Sequence, residues 1–252
     1  MKRKLIGIVL IFLGVIMAAG AWLTYSEAPK AQEKLKSAVF LEKPVVLQEN
    51  EGKLVVCSGT MEMTAPARDK DLGLSFPSPR VRRRTEQRKV DGDKKEWVIV
   101  HVDGSDSDNL YGQAKIGEFD LSPKLLRVLS TPKNCTEFDG EELERAGLMA
   151  RNRLAERTYL YVLDSDPPSK FQRGMRCSYD MYDLKKAGTV TVVGFQKGRA
   201  LYPSKHFSFM KGALNREEFL KKQKRMSLLG NLMLGMIGIS LLLGGILTIR
   251  KS

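Results

Sequence analysis

Two uncharged apolar runs bracket a chain that is otherwise polar and charged. Residues 227–249 (SLLGNLMLGMIGISLLLGGILTI) hold no Asp, Glu, Lys or Arg, and Asn231 is their most polar member. About 23 residues at roughly 1.5 Å of rise each reach about 35 Å, enough to cross a hydrocarbon core. Core helices of soluble domains are shorter and polar on one face, so this run predicts a transmembrane helix. Residues 5–25 form a second run, introduced by Lys2, Arg3 and Lys4. Its basic start and Ala19-Gly20-Ala21 also fit a cleaved signal peptide. Apolar character that continues past Ala21, with Trp22 and Tyr25 where interfacial aromatics gather, favours a retained helix.

Between the runs the hydrophobic period changes. Residues 31–40 extend a helix off the membrane until Pro44 stops it. Then come short β-rich runs at 45–47, 53–57 and 60–64, divided by Glu49-Asn50-Glu51-Gly52 and Ser58-Gly59. Residues 81–90 alternate weakly, 97–102 (WVIVHV) predict a strand, and 103–109 a polar loop. A helical middle follows at 123–129 and 141–157, where Leu143, Ala146, Ala150 and Leu154 share one face. Strands return at 159–163 and 189–195, with a turn at Asp166-Pro167-Pro168. Asn215 and Glu218 make a capping-box pair opening a basic helix with no breaker before Ser227. The predicted class is α+β: a mixed strand-rich domain held between two transmembrane α-helices. The tails are 1–4 and 250–252, the helices 5–25 and 227–249, and the extramembrane domain 26–226.

Charge adds orientation. The net charge is +13; Lys2, Arg3, Lys4, Arg250 and Lys251 supply five, leaving +8 on residues 5–249. Basic tails at both ends predict cytoplasmic termini and a translocated domain, although Arg216, Lys221, Lys222, Lys224 and Arg225 crowd the domain side of the second helix. The expected site is the bacterial inner membrane with a periplasmic domain, or an endomembrane with a lumenal one.

The search for chemistry excludes more than it finds. His101 and His206 are the two histidines, and no HExxH, GxSxG, Walker or dinucleotide glycine pattern occurs. Asp103, Asp106 and Asp108 lack the glycine and closing glutamate of a calcium loop. No catalytic residue, metal site or cofactor is expected. Cys57, Cys135 and Cys177 are too scattered for a metal site; Cys135 and Cys177 form a disulfide in an exported domain, or all three are free and buried. Asn134-Cys135-Thr136 matches a glycosylation acceptor pattern.

The strongest charge feature is residues 79–89, PRVRRRTEQRK. In an extended chain Arg82 and Arg84 face one way, Arg83 and Thr85 the other. Two readings stand: Arg82, Arg83, Arg84 and Arg88, with Lys221, Lys222, Lys224 and Arg225, contact anionic lipid head groups, or the strand is a solvated sheet edge. Nucleic acid is set aside, because no aromatic platform interleaves with these arginines. In the apolar runs Gly7, Gly14 and Ala18, and Ser240 and Gly244, are spaced as small residues that let helices pack, within one chain or between copies. The alternative is the ordinary abundance of glycine in membrane helices.

Asn50-Glu51-Gly52-Lys53-Leu54-Val55 with Ser58-Gly59, then Asp71-Leu72-Gly73-Leu74, then Val81-Arg82-Arg83-Arg84-Thr85-Glu86, resemble the LUMA (transmembrane protein 43) family. Gly188-Thr189-Val190-Thr191-Val192-Val193-Gly194-Phe195-Gln196 and Leu201-Tyr202-Pro203 resemble its closing strand and loop. The resemblance covers roughly 45–205. It departs where the family continues with Tyr-Gln-Trp and this chain has Gln87-Arg88-Lys89, and in having one C-terminal membrane helix rather than several. The resemblance implies a membrane-organising scaffold without catalysis, whose partners are the bilayer, other membrane proteins or further copies of itself. Two other readings stay open: a membrane-tethered hydrolase using Cys57 or Cys177, and an envelope sensor with a ligand cavity.

Overall fold

The computed structural model describes every residue except 1, 93, 103–107, 154–156, 164–170, 172–173, 205–207 and 251–252. Asp103, Asp106, His206 and the turn expected at 166–168 therefore lie outside the described residues. The chain forms two compact bodies, a helical one (Met1–Ala38 with Leu214–Ser252) and a strand-rich one (Val39–Ala213). The fold is α+β.

Helix α1 (Lys2–Lys36) runs well past its apolar stretch and carries Pro29 beyond Tyr25. Strand β1 (Val39–Leu41) is followed by an irregular stretch and a single 3-10 turn at Gln48–Asn50, so 45–47 is not a strand. The runs read at 53–57 and 60–64 merge into one long strand, β2 (Leu54–Ala65). Then come β3 (Ala67–Asp69), β4 (Leu74–Phe76), β5 (Arg80–Asp91), β6 (Lys94–Ile99), β7 (Asn109–Tyr111), β8 (Gln113–Ile116) and β9 (Phe119–Leu121). Helix α2 (Pro123–Leu126) starts at Ser122, whose hydroxyl accepts from the Leu125 amide. After β10 (Lys133–Asn134), helix α3 (Gly140–Arg145) is far shorter than the helix expected over 141–157. Gly147, at φ 62°, ends it in the left-handed conformation open to glycine. Residues beyond it form a hairpin, β11 (Leu148–Arg153) with β12 (Arg157–Val162). β13 (Met175–Met181), α4 (Leu184–Ala187), β14 (Thr189–Lys197), β15 (Ala200–Pro203), β16 (Phe209–Lys211) and α5 (Arg216–Arg250) complete the chain.

Five strands close a barrel. β2 pairs antiparallel with β14 through its first half and with β8 through its second, with a bulge between Met63 and Ala65. β8 turns into β9, β9 pairs parallel with β15, and β15 pairs antiparallel with β14. The circuit β2-β8-β9-β15-β14-β2 is a small Greek-key barrel of OB type, and β1 and β16 extend it. Val55, Cys57, Ile116, Phe119, Val192 and Leu201 fill it, joined by Leu125 and Leu126 of α2. The β8–β9 turn requires Gly117: at φ 57° a Cβ there would collide with Pro44.

The two long connections within the barrel, β2 to β8 and β9 to β14, together build a second antiparallel sheet, β11-β12-β13-β5-β6, flanked by β7 and β10. Its inner face packs Val81, Leu160, Cys177 and Tyr179 on Leu72, Leu74 and Phe76. The alternation expected of the arginine run is present in β5, where Arg83 and Thr85 are buried and Arg82 is exposed.

In the helical body α1 and α5 pack along their small residues. A Cβ on Gly14 would stand 2.7 Å from Leu242 Cγ and 2.9 Å from the Gly238 carbonyl; Ala18 lies over Gly238, and Gly7 over Gly245 and Ile249. The expected partner pair is corrected here. Ser240 is exposed and nothing lies within 4 Å of a Cβ at Gly244, whereas Gly238 and Gly245 are buried. Gly238 and Gly245 repeat every seven residues, as Gly7 and Gly14 do, so two straight helices meet at both levels. The Thr24 hydroxyl donates to Asn231 Oδ1 at 2.8 Å, and Arg216 donates to the Lys36 carbonyl. Large apolar side chains elsewhere on both helices face outward, Trp22 at 70% exposure and Phe12 at 67%. Both helices are long and apolar enough to cross a membrane, and surfaces this greasy belong in lipid.

Candidate functional site

The outer face of the second sheet gathers the arginines. Register places Arg82, Arg84, Glu86 and Arg88 along β5, opposite Asp180, Ser178 and Arg176 of β13. Tyr161 of β12 sits beside Arg176, Tyr159 pairs with Arg151 of β11, and Trp97 of β6 lies beside Arg88. Strands about 4.8 Å apart and side chains every second residue make this a regular grid.

At its centre Arg176 is locked. Its Nε donates to Glu86 Oε2 at 2.7 Å and its Nη1 to the Tyr161 hydroxyl at 3.2 Å. Its guanidinium carbon stands 4.1 Å from the Trp97 ring centre and 3.8 Å from that of Tyr159. Burial works against the charge, yet the hydrogen bonds to Tyr161 and Glu86 hold its pKa above the ordinary value. Arg157 pairs with Asp180 at 2.9 Å. The two carboxylates of the grid are thereby occupied. Among the described residues no ion pair joins Arg82, Arg84, Arg88 or Arg151 to a carboxylate; Arg151 rests over Tyr161 at 5.8 Å. This face concentrates positive charge on a rigid aromatic base.

Arg83 is a correction. It points inward, fully buried, and its Nη1 donates to both Asp69 oxygens at 2.9 Å and to Asp71 at 3.0 Å. The Tyr179 hydroxyl donates to Asp69 Oδ2 at 2.8 Å, and the Asp71 and Leu72 amides donate to Asp69 Oδ1. Burial lowers the guanidinium pKa, but Asp69 and the rest of this shell outweigh it and carry the pKa well above the usual arginine range. A side chain held this way cannot reach a head group.

The Cys135–Cys177 bridge is corrected as well: Cys57, Cys135 and Cys177 are free and buried. Burial pushes the Cys57 and Cys177 thiols up to about 12, against the thiolate a cysteine nucleophile requires. His101 lies exposed, 3.7 Å from Asp108. Among the described residues no group of three His, Cys, Asp or Glu is placed to hold a metal.

Lys221, Lys224 and Arg225 are exposed on the first turns of α5 and Lys222 is half-buried. That helix opens with the expected capping box, Glu218 N donating to Asn215 Oδ1 at 2.9 Å and Asn215 N to Glu218 Oε2 at 3.1 Å.

The aromatic base is the part of the site that the sequence conceals. The arginine run itself holds no aromatic residue, and the fold supplies Trp97, Tyr159 and Tyr161 from other strands. Their alternation with buried Thr158, Leu160 and Val162 was the available signal.

Comparison with curated proteins finds no match, and comparison with solved structures finds none either. The family described as Transmembrane protein 43 matches residues 100–252, from the end of the β5–β6 hairpin through α5. With more than half its length matched, the chain belongs to the transmembrane protein 43 family, whose members are membrane proteins.

Proposed function

We propose that this chain is a non-enzymatic, two-pass integral membrane protein that organises membranes by displaying an anion-binding domain outside the cytoplasm. Both termini are cytoplasmic, and the domain is periplasmic in a bacterium or lumenal in an endomembrane. The observation that carries the reading is the set Arg82, Arg84, Arg88 and Arg151, on one sheet face without carboxylate partners among the described residues. Two apolar helices of membrane-spanning length support the anchoring. The raised thiol pKa values speak against the cysteine-hydrolase alternative.

The partner best matched to the face is a layer of anionic lipid head groups, where each surface arginine contributes about 1 kcal/mol. Full-length protein in neutral-lipid nanodiscs should capture anionic vesicles and ignore neutral ones. Replacing Arg82, Arg84 and Arg151 together by Glu should weaken capture about a hundredfold or more. Undiminished capture by that variant, or an oligonucleotide that displaces the vesicles at lower concentration than soluble head groups do, would overturn the lipid assignment.

A further inference from the structure

A groove of about 610 Å³ opens on the strand-rich body. One wall is the barrel, through Val190 of β14 and Phe209 and Met210 of β16; the other is the segment after α2, through Val128 and Leu129. Leu129, Val190 and Met210 are buried at its base, while Val128 leaves half its surface bare. Three lysines stand around it: Lys133 on β10, Lys186 on α4 and Lys211 on β16, all exposed. Among the described residues of the lining, Asp183 is the one carboxylate. It caps α4 by accepting from the Lys186 amide and lies 3.9 Å from Lys186 Nζ. The Tyr182 phenol, whose pKa burial and Asp183 raise above the ordinary value, adds a hydrogen-bond donor.

An apolar trough of this size with Lys133, Lys186 and Lys211 at its mouth matches a particular shape of molecule. Apolar walls bind a hydrocarbon chain by removing it from water. Lysines, as flexible point charges, suit an anionic head of either geometry. A polar metabolite would leave the walls unused, and a neutral lipid would leave the lysines unused. We propose that the groove binds one single-chain anionic amphiphile, a long-chain carboxylate or phosphate, with its tail on Leu129, Val190, Phe209 and Met210 and its head among Lys133, Lys186 and Lys211. A protein carrying membrane helices resides where such amphiphiles are concentrated. The inference is separate from the arginine face and stands or falls without it.

The test uses the full chain in neutral-lipid nanodiscs and a long-chain fatty acid bearing a photoreactive group, with cross-linked residues mapped by mass spectrometry. Label is expected on residues 128–133 and 209–211, competed by oleate and not by oleyl alcohol. Lys186→Glu with Lys211→Glu should reduce it about tenfold, the value of a charge-assisted contact. Val128→Trp, at an exposed position that tolerates bulk, should block it by filling the trough. Label confined to the membrane helices, equal competition by oleyl alcohol, or labelling unchanged in both variants would overturn the proposal. Retained vesicle capture by these variants would show that the arginine face operates regardless.

Discussion

Arg83 shows how far a single side chain can be read. Its inward direction follows from strand alternation alone, but its partners sit at the end of β3 and in the turn after it, 14 and 12 residues earlier, and nothing local announces them. A charge without visible partners reads in the sequence as a lipid contact or as part of a solvated sheet edge, and it is neither. A buried pair contributes little net stability while intact, yet removing one partner leaves an uncompensated charge at a cost of about 3–5 kcal/mol. Arg83→Met should lower unfolding stability by that amount, followed through Trp97 fluorescence, and adding Asp69→Asn should recover part of it. Equal losses in the single and double variants would mean that the pair is not coupled. The thiols give a second expectation. Cys57 and Cys177 titrate near 12 in the fold against 9.0 ordinarily, so the unfolded chain releases these protons first. Their contribution is fully present below pH 9 and is lost as pH rises from 9 to 12. Thermal midpoints should fall across that window, and less steeply in a Cys57→Ala, Cys177→Ala variant.

Elements were legible where one local signal dominated. The membrane helices, β5 and the capping box of α5 each announce themselves through period, charge or cap chemistry. The false helix over 141–157 arose because Leu143, Ala146, Ala150 and Leu154 happen to recur at helical spacing. Gly147 was the stop signal, and the alternation from Thr158 to Val162 belonged to a strand. Strands β8 and β9 alternate over only four and three residues, too few to stand out, and β13 is buried on both sides and carries no alternation to read. The helix pair offers a contrast between neighbouring glycines. Gly14→Leu or Gly238→Leu should separate α1 from α5 and lower the thermal midpoint in detergent, since a Cβ at either meets backbone of the other helix. Gly244→Leu, facing open space, should leave the midpoint unchanged. A Gly244 variant as damaged as Gly14→Leu would show that the helices meet along another line.

At the scale of the molecule, the class of fold was readable and its wiring was not. Alternating runs signal strands, but which strands join depends on contacts across more than a hundred residues. The barrel's closing seam pairs Leu54–Thr60 with Thr189–Phe195, and the inserted sheet and two of the barrel's other staves, β8 and β9, lie between them in the chain. That wiring sets a schedule for biogenesis. As the ribosome delivers the chain from its first helix onward, β2 emerges early and must wait for a mate about 130 residues downstream. At 5–20 residues per second the delay is roughly 7 to 26 s. During that time an apolar strand stands with one edge unfilled beside a membrane, so the nascent chain has an interval in which a chaperone has something to hold.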